Sequence, residues 1–340
     1  MPRITIKDVA KAAGVSIATV SNVINGRLTK VNPETAKKIH QISQQLGYQR
    51  DMNAASLKRG TSNMVWVLMP KDDTHQNKAL QNSPFFSDFL TGIEKGASDS
   101  DLYFSFMRVK NTDELQRLSH GPAPKAVILI GIFPESINQI ISQWSFKTLI
   151  VDNHILMEKY PATTHLHYLN TNDRQMGYIA MEYLIKLGHR NIAVLAGPLQ
   201  LSVVYRDRLH GIKAAAQATK NASLSVVECN CELDAAVTVF EQIKTLLSEG
   251  VTAVLAMSDV QALGCYRAAN LAGIGVPETF SLIGMDNLTL LSYLPFNLTT
   301  VSQDIVQRGY QAVMQLVNDK IRDQATLPTL IEGETCRPVN

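Results

Sequence analysis

Ile4-Thr-Ile-Lys-Asp-Val-Ala-Lys-Ala-Ala-Gly-Val-Ser-Ile-Ala-Thr-Val-Ser-Asn-Val-Ile-Asn-Gly26 reads as two short helices hinged at Gly14. Thr5 caps the first, with Asp8 three residues on as in a capping box, and Val9, Ala10 and Ala13 fall on one face. Gly14 supplies a turn position where a side chain would be strained, Val15 plugs the angle between the helices, and Ser16 caps the second. In that second helix, Ile17 to about Asn25, the residues Val20, Val23 and Ile24 recur at helical spacing and face inward. Ile17, Ala18, Ser21 and Asn22 are left outward near its N-terminal end, where a recognition helix meets base edges. A third helix follows: Asn32 caps it, Pro33 opens it, Ala36, Ile39, Ile42 and Leu46 form its buried stripe, and Gly47 ends it. An Ala-Gly-Val turn also joins helices in ordinary bundles, so helix patterning alone leaves a plain bundle open.

Charge strengthens the nucleic-acid reading. Residues 1 to 60 hold ten basic side chains (Arg3, Lys7, Lys11, Arg27, Lys30, Lys37, Lys38, Arg50, Lys58, Arg59) against three acidic ones (Asp8, Glu34, Asp51), a balance of +7. The chain total is +2, which leaves −5 for the other 280 residues. A basic head on a mildly acidic body suits phosphate attraction at one end and solubility at the other. The next stretch, Asp51-Met-Asn-Ala-Ala-Ser-Leu-Lys-Arg-Gly60, has helix-forming composition but is too short to be stable alone. Held by a second copy on DNA, it would let Leu57 wedge into the minor groove, with Ala54 small enough for close approach and Lys58 and Arg59 near phosphates. Without neighbours, the same residues are a polar linker.

With Thr-Ile-Lys-Asp-Val-Ala, Ala-Gly-Val-Ser and Thr-Val-Ser all in register, the chain resembles the lactose/galactose-repressor family of bacterial transcription regulators over essentially its whole length. The resemblance implies a homodimer on a pseudo-palindromic double-stranded DNA operator, hinge helices ordered on DNA, and a small effector that shifts the equilibrium. It makes Thr5, Ser16, Ile17, Ala18, Thr19, Ser21, Asn22 and Asn25 the DNA-contacting candidates of the head, and Ala54, Leu57 and Lys58 those of the hinge. Two departures stand out. Asn22 occupies a position where the family usually has Arg, which favours adenine over guanine. Gln49-Arg50-Asp51 replaces the Pro and Asn that many members carry before the hinge.

The body, from about Ser62, alternates apolar runs suited to buried strands with amphipathic helices. The runs lie at Met64 to Met69, Leu102 to Met107, Ala126 to Ile130, Thr148 to Val151, Ile192 to Ala196, Val254 to Met257 and Leu282 to Met285. Helical stripes fall at Asp173 to Leu187, Leu209 to Ala218, Ala235 to Leu247 and Gln261 to Ala272. This is the α/β rhythm of parallel sheets covered on both faces, and the length favours two sheets over one. The family fold supplies the rest: two periplasmic-binding-protein-like (Rossmann-like) subdomains with a ligand cleft between them. Expected boundaries are a helix-turn-helix head at 1–49, a hinge at 50–61 and an effector and dimerisation domain at 62–340. Within the last, one subdomain spans about 62–165 and 299–328 and the other about 166–298 and 329–340, with crossovers near 163–168, 292–300 and 325–332.

No run approaches the roughly twenty apolar residues of a spanning helix, and Met1-Pro-Arg leads into a capped helix rather than the apolar core of a signal peptide. These features disfavour the rival of a secreted solute-binding protein and any membrane role, and fit a cytoplasmic, nucleoid-associated regulator. Cys229, Cys231, Cys265 and Cys336 have neither zinc-site spacing nor disulfide density, so no metal or cofactor is expected. No leucine heptads close the chain at Pro338-Val-Asn340, which favours a dimer over a tetramer.

Ligands of parallel-sheet proteins sit at strand ends facing a cleft. Three polar residues match family positions there: Asp152 after Leu149-Ile-Val, Arg208 in Tyr-Arg-Asp-Arg-Leu-His-Gly211, and Asp286 after Leu-Ile-Gly-Met. Two carboxylates and a planar guanidinium can hold vicinal hydroxyls, the first accepting and the second donating; Asp286 could instead cap a loop, and Arg208 could simply pair with an acidic neighbour. Phe85 and Phe86 match an aromatic pair that packs on ligand in relatives, Ser258 precedes Asp259 as in the family, and Tyr168 and Gln303 lie near crossovers. Cys229-Asn-Cys-Glu232 stands where some sugar-binding relatives place an aromatic, which argues against a stacked sugar face. A sugar or sugar derivative is the expected effector, with a nucleoside or purine as the alternative. An enzyme would need a nucleophile beside a base, a metal cluster or a phosphate loop. The eight His are scattered, no Gly-rich loop follows a strand, and His165 with His167 has no further ligands nearby.

Overall fold

The computed structural model describes residues 4–24, 26, 28–48, 62–71, 83–119, 121–200, 202–219, 222–318 and 326–339. The chain divides into two compact units, Met1–Ser62 and Asn63–Asn340.

In the first unit, α1 (Ile6–Ala13), α2 (Ile17–Ile24) and α3 (Pro33–Gln45) close a small core of Val9, Ala10, Ala13, Val20, Val23, Ala36 and Ile39. Asp8 accepts hydrogen bonds from the Thr5 backbone N–H at 2.8 Å and the Thr5 hydroxyl at 2.7 Å, which holds the start of α1. Those two donors also hold the Asp8 carboxyl below its ordinary value. Gly14 takes φ +68°, and the Val15 N–H turns back to Ala10 O at 3.1 Å to end the helix. Asn32 caps α3 by accepting the Glu34 N–H at 2.9 Å, with Pro33 at the first helical position.

The second unit contains two sheets. The first takes β1 (Met64–Pro70), β2 (Tyr103–Val109), β3 (Ala126–Ile130), β4 (Thr148–Val151) and β5 (Leu166–Leu169) in the order β2-β1-β3-β4-β5, all parallel. Its connecting helices are α4 (Pro84–Asp99), α5 (Thr112–Ser119), α6 (Glu135–Ser142) and α7 (His154–Lys159). The second sheet takes β6 (Asn191–Ala196), β7 (Ser223–Glu228), β8 (Ala253–Ala256), β9 (Ser281–Asp286), β10 (Thr299–Ser302) and β11 (Thr329–Ile331) in the order β11-β10-β9-β8-β6-β7. Only β11 runs antiparallel to its neighbour among these strands. The remaining helices are α8 (Asp173–Lys186), α9 (Val203–Gln217), α10 (Leu233–Thr238), α11 (Phe240–Ser248), α12 (Asp259–Leu271) and α13 (Ile305–Val317).

Strands buried on both faces need apolar side chains at every position, which is why β3 reads Ala-Val-Ile-Leu-Ile without alternation. Alternate residues of β1 and β3 pack on α4 and α13 through Val67, Ile128, Phe89 and Val313, while Leu68 and Leu129 pack on α5 and α6 through Leu115, Ile137 and Ile141. The second sheet is layered likewise, with Val194 against Met176 and Ile212 on one face and Leu195 against Ile243 and Cys265 on the other.

The chain passes between sheets later than the expected crossovers at 163–168 and 292–300. β5 pairs with β4, Val151 opposite Leu169, so the first passage begins at Asn170. β10 is held on both sides, by β9 and β11, and belongs wholly to the second sheet. The return therefore falls at Gln303 and Asp304, where Asp304 turns with φ +49° into α13 beside α4. The third passage is marked by the Thr171–Thr326 bridge.

Candidate functional site

In the head, α2 begins where the Thr19 N–H donates to Ser16 Oγ at 3.1 Å, and the two hydroxyls share a hydrogen bond of 2.8 Å. With Val20 and Val23 inward, Ile17 (47 % exposed) and Ala18 are left on the surface, and Ser21 and Asn22 are half-buried. Thr5 and Ser16 are exposed and cap their helices. Asn25, Ala54, Leu57 and Lys58 lie outside the described residues.

In the body, charged side chains gather at the carboxy ends of strands from both sheets. Asp152 follows β4, Asp286 ends β9, Gln303 follows β10, Asp173 opens α8, Arg208 sits in α9 and Arg308 in α13. Two of these exits use positive-φ backbone: Asp152 at +51°, in the left-handed region that Asp adopts more readily than most residues, and Asp286 at +114°, outside it. Helix packing delivers the two arginines. A Cβ on Gly211 would stand 1.8 Å from Arg174 O and one on Gly177 would stand 2.0 Å from Arg208 O, so α8 and α9 touch backbone to backbone and Arg208 meets Asp173. Gly309 and Gly92 do the same for α13 and α4 beside Arg308.

The Arg208 guanidinium is 4 % exposed and engaged on every side. Nε donates to Asp173 Oδ1 at 2.9 Å, Nη2 to Asp286 Oδ1 at 2.9 Å and Nη1 to Met257 O. Gln303 Nε2 donates to the same Asp286 Oδ1 at 2.7 Å, and Gln303 Oε1 accepts from Thr171 Oγ1 at 2.9 Å and from Arg308 Nη1. Arg308 Nη2 reaches Asp152 Oδ1 at 2.6 Å. One buried chain, Asp152–Arg308–Gln303–Asp286–Arg208–Asp173, thus runs from the first sheet to the second.

Three carboxylates share two guanidiniums here, and the protonation behaviour follows. Burial pushes the Asp173 carboxyl up to about 6 against the pull of Arg208, and it raises Asp286 as well. Burial opposes the charge on Arg208, but Asp286 and Asp173 outweigh it and hold that guanidinium more firmly charged. Asp259, beneath the cluster, is pushed well above its ordinary range by burial and by Asp286; it accepts from Thr300 Oγ1 at 2.6 Å and the Leu288 N–H at 2.9 Å.

Of the residues singled out from sequence, Asp152, Arg208, Asp286 and Gln303 are brought together. Ser258 adjoins them as the cap of α12, accepting from Gln261 N–H at 3.2 Å and from Cys231 Sγ at 2.8 Å. Burial holds the Cys231 thiol up to about 11, a structural thiol rather than a reactive one. Phe86 is buried in the core of the first sheet against the Phe106 ring at 5.2 Å, and Phe85 stacks on Phe89 at 6.2 Å. Tyr168 is 1 % exposed within the opposite face of that sheet, its hydroxyl donating to the carbonyls of Tyr160 and Leu156, which corrects its placement at the cleft. Asp173, Thr171 and Arg308 were not read from sequence. Asp173 was seen only as a helix start, and Arg308 lies on a helix with no motif around it. Among the described residues no group of three or more His, Cys, Asp or Glu could hold a metal ion, and no helix is long and apolar enough to cross a membrane.

Comparison with known proteins agrees with both units. Residues 5–51 match the bacterial regulatory proteins of the lacI family, and residues 181–336 match a periplasmic binding protein-like domain. The chain is 28 % identical to the HTH-type transcriptional repressor PurR of Vibrio atlanticus (strain LGP32), over 99 % of each chain. It is also 28 % identical to the ribose operon repressor of Haemophilus influenzae, over 98 % of this chain and 96 % of that one. Among solved structures, the lac repressor dimer bound to operator and the anti-inducer ONPF superposes with a TM-score of 0.77 at 23 % identity, covering 98 % of this chain and 99 % of that one. The transcriptional regulator CelR in complex with cellobiose superposes with a TM-score of 0.65 at 23 % identity, covering 98 % and 100 %. A capped helix-turn-helix head that matches the lacI family of bacterial regulatory proteins thus precedes a two-sheet α/β body that matches a periplasmic binding protein-like domain, and repressors of this build align with the chain from end to end.

Proposed function

We propose that the chain is a transcription repressor that binds a pseudo-palindromic operator as a homodimer, its operator affinity switched by a small sugar-like effector held among Asp152, Arg208, Asp286 and Gln303. The observation that carries this reading is the lacI-family head, whose α2 leaves Ile17 and Ala18 exposed at the end that enters the major groove. Asn22 sits on the same helix, one turn on, where its amide can pair with adenine. The segment carrying Ala54, Leu57 and Lys58 would insert Leu57 in the minor groove. Acting on bacterial DNA, the protein works in the cytoplasm.

The switch is a matter of differential affinity. Asp152 and Arg308 come from elements of the first sheet's lobe, and Asp173, Arg208 and Asp286 from the second, so a ligand bound among them favours one setting of the lobes over another. A ligand indifferent to that setting would leave operator affinity unchanged.

The test has two steps. An operator is selected from a randomised duplex pool and read by fluorescence anisotropy; effectors are found by thermal shift with sugars, glycosides, sugar phosphates and purines. Arg208→Lys, which keeps a cation opposite Asp173 and Asp286 but lacks the planar fork, is expected to keep operator affinity within threefold of the parent while losing the thermal shift and the change in DNA binding. Equal affinity for every duplex at moderate salt, with and without those compounds, would overturn the assignment.

A further inference from the structure

Arg308 is the bulkiest of the fully buried side chains among the described residues, 2 % exposed. A guanidinium keeps its charge, so its five N–H groups have to find acceptors. Nη2 has Asp152 and Nη1 has Gln303, but the buried Nε has no hydrogen-bond partner. The acceptors around it are already shared. Asp152 Oδ1 also takes the Thr171 N–H at 3.2 Å, Gln303 Oε1 also takes Thr171 Oγ1 at 2.9 Å, and Asp286 Oδ1 takes both Arg208 and Gln303. Donors from both lobes crowd onto three oxygens, and one guanidinium nitrogen, Nε, is left without an acceptor. A buried donor left unmade is costly, and a ligand that brings an acceptor relieves it.

Building on the reading of this cluster as the effector site, we propose that the effector carries an oxyanion, a carboxylate or a phosphate, and that Arg308 selects for it through its Nε edge. An ionised acceptor makes the strongest bonds to a guanidinium, and the planar fork matches two oxygens at once. Asp152 and Asp286 are then left to accept from hydroxyl groups on the same molecule. The added negative charge is offset by a proton on Asp173, whose carboxyl burial already lifts to about 6. A neutral sugar satisfies the carboxylates but offers Arg308 only a weak acceptor, so acidity is what this cluster reads beyond the hydroxyl pattern.

The test uses the full chain and isothermal calorimetry. D-gluconate and D-glucuronate form the carboxylate arm, ribose 5-phosphate and glucose 6-phosphate the phosphate arm, and D-glucose and D-ribose the neutral controls. At least one acidic probe is expected to bind tenfold or more tightly than its neutral counterpart, and the arm it belongs to identifies the oxyanion. Arg308→Leu strands Asp152 without its cation and is expected to destabilise the fold, so Arg308→Lys carries the test: it keeps the charge but lacks the Nε–H and the fork. With its melting temperature checked against the parent, that variant is expected to lose the acidic preference by tenfold or more. A neutral sugar or a purine binding as tightly as every acidic probe, no binding of any acidic probe, or an acidic preference untouched in Arg308→Lys would each overturn the inference. If Arg208→Lys, with a melting temperature like the parent's, still abolishes whatever does bind, the effector-site reading stands without it; acidic binding that survives Arg208→Lys lies elsewhere and removes both.

Discussion

Asp173 is buried beside Arg208, and burial pushes its carboxyl up to about 6 from 3.8 because the interior disfavours its charge. The sign of the consequence is fixed by linkage. A folded pKa above the unfolded one means the native state holds a proton that the unfolded chain has released, so this contribution is whole below about pH 4 and is lost as pH rises through 6. Two pH units correspond to roughly 3 kcal/mol. Asp173→Asn removes the titration. Urea unfolding is expected to show the variant gaining about 2 kcal/mol relative to the parent between pH 4.5 and 7, and a constant gap would mean the carboxyl titrates normally. His189 works in the opposite direction. Burial holds its imidazole below 6.5, with Nδ1 sharing a hydrogen bond with Thr252 Oγ1 at 2.8 Å, so its contribution is present above pH 6.5 and fades as pH falls.

Elements place these residues by how closely they approach one another. Gly211 leaves no room between α9 and α8, since an added Cβ would meet Arg174 O at 1.8 Å. Gly211→Ala is therefore expected to cost about 3 kcal/mol or more in denaturant unfolding and to pull Arg208 away from Asp173, so that ligand response falls further than stability alone explains. Full stability in that variant would show that the helices part without strain. Legibility from sequence follows the same physics. The apolar runs at β1, β3, β4, β6, β8 and β9 were plain because burial on both faces demands them. β10 was missed because three of its four buried residues are Thr299, Thr300 and Ser302, held by ladder and side-chain hydrogen bonds, and only Val301 packs in the apolar core. β7 and β11 were missed as sheet edges, where one side lacks a neighbour and the pattern is mixed. The helix read as beginning at Leu209 in fact starts at Val203, because its first two turns carry Arg206 and Arg208 toward polar partners and so lack an apolar stripe.

For the whole molecule, coupling between effector and operator must be reciprocal. If an effector weakens operator binding by a given factor, the operator-bound protein must bind that effector more weakly by the same factor. Calorimetry of the effector with free and with operator-saturated protein is expected to return the factor seen by anisotropy. A mismatch would place the two ligands on separate populations of protein. The effect on stability is additive to this: an effector at a hundred times its dissociation constant raises the unfolding free energy by about 2.7 kcal/mol.

Local chemistry was sufficient for the head and for the α/β rhythm of the body. A capping pair at Thr5 and Asp8, glycines at the left-handed turns Gly14, Gly26 and Gly47, and a hydrophobic repeat every three or four residues each act over a single turn of chain, so they are written in neighbouring residues. Asp152, Arg208 and Asp286 were legible as strand-end or motif residues for the same reason. Tertiary structure alone decided that Arg308 and Asp173 join them, that Gln303 links the two sheets, and that Tyr168 belongs to a core. Those contacts join residues up to 156 apart, and a buried guanidinium and a solvated one look alike until the packing of helices around them is known.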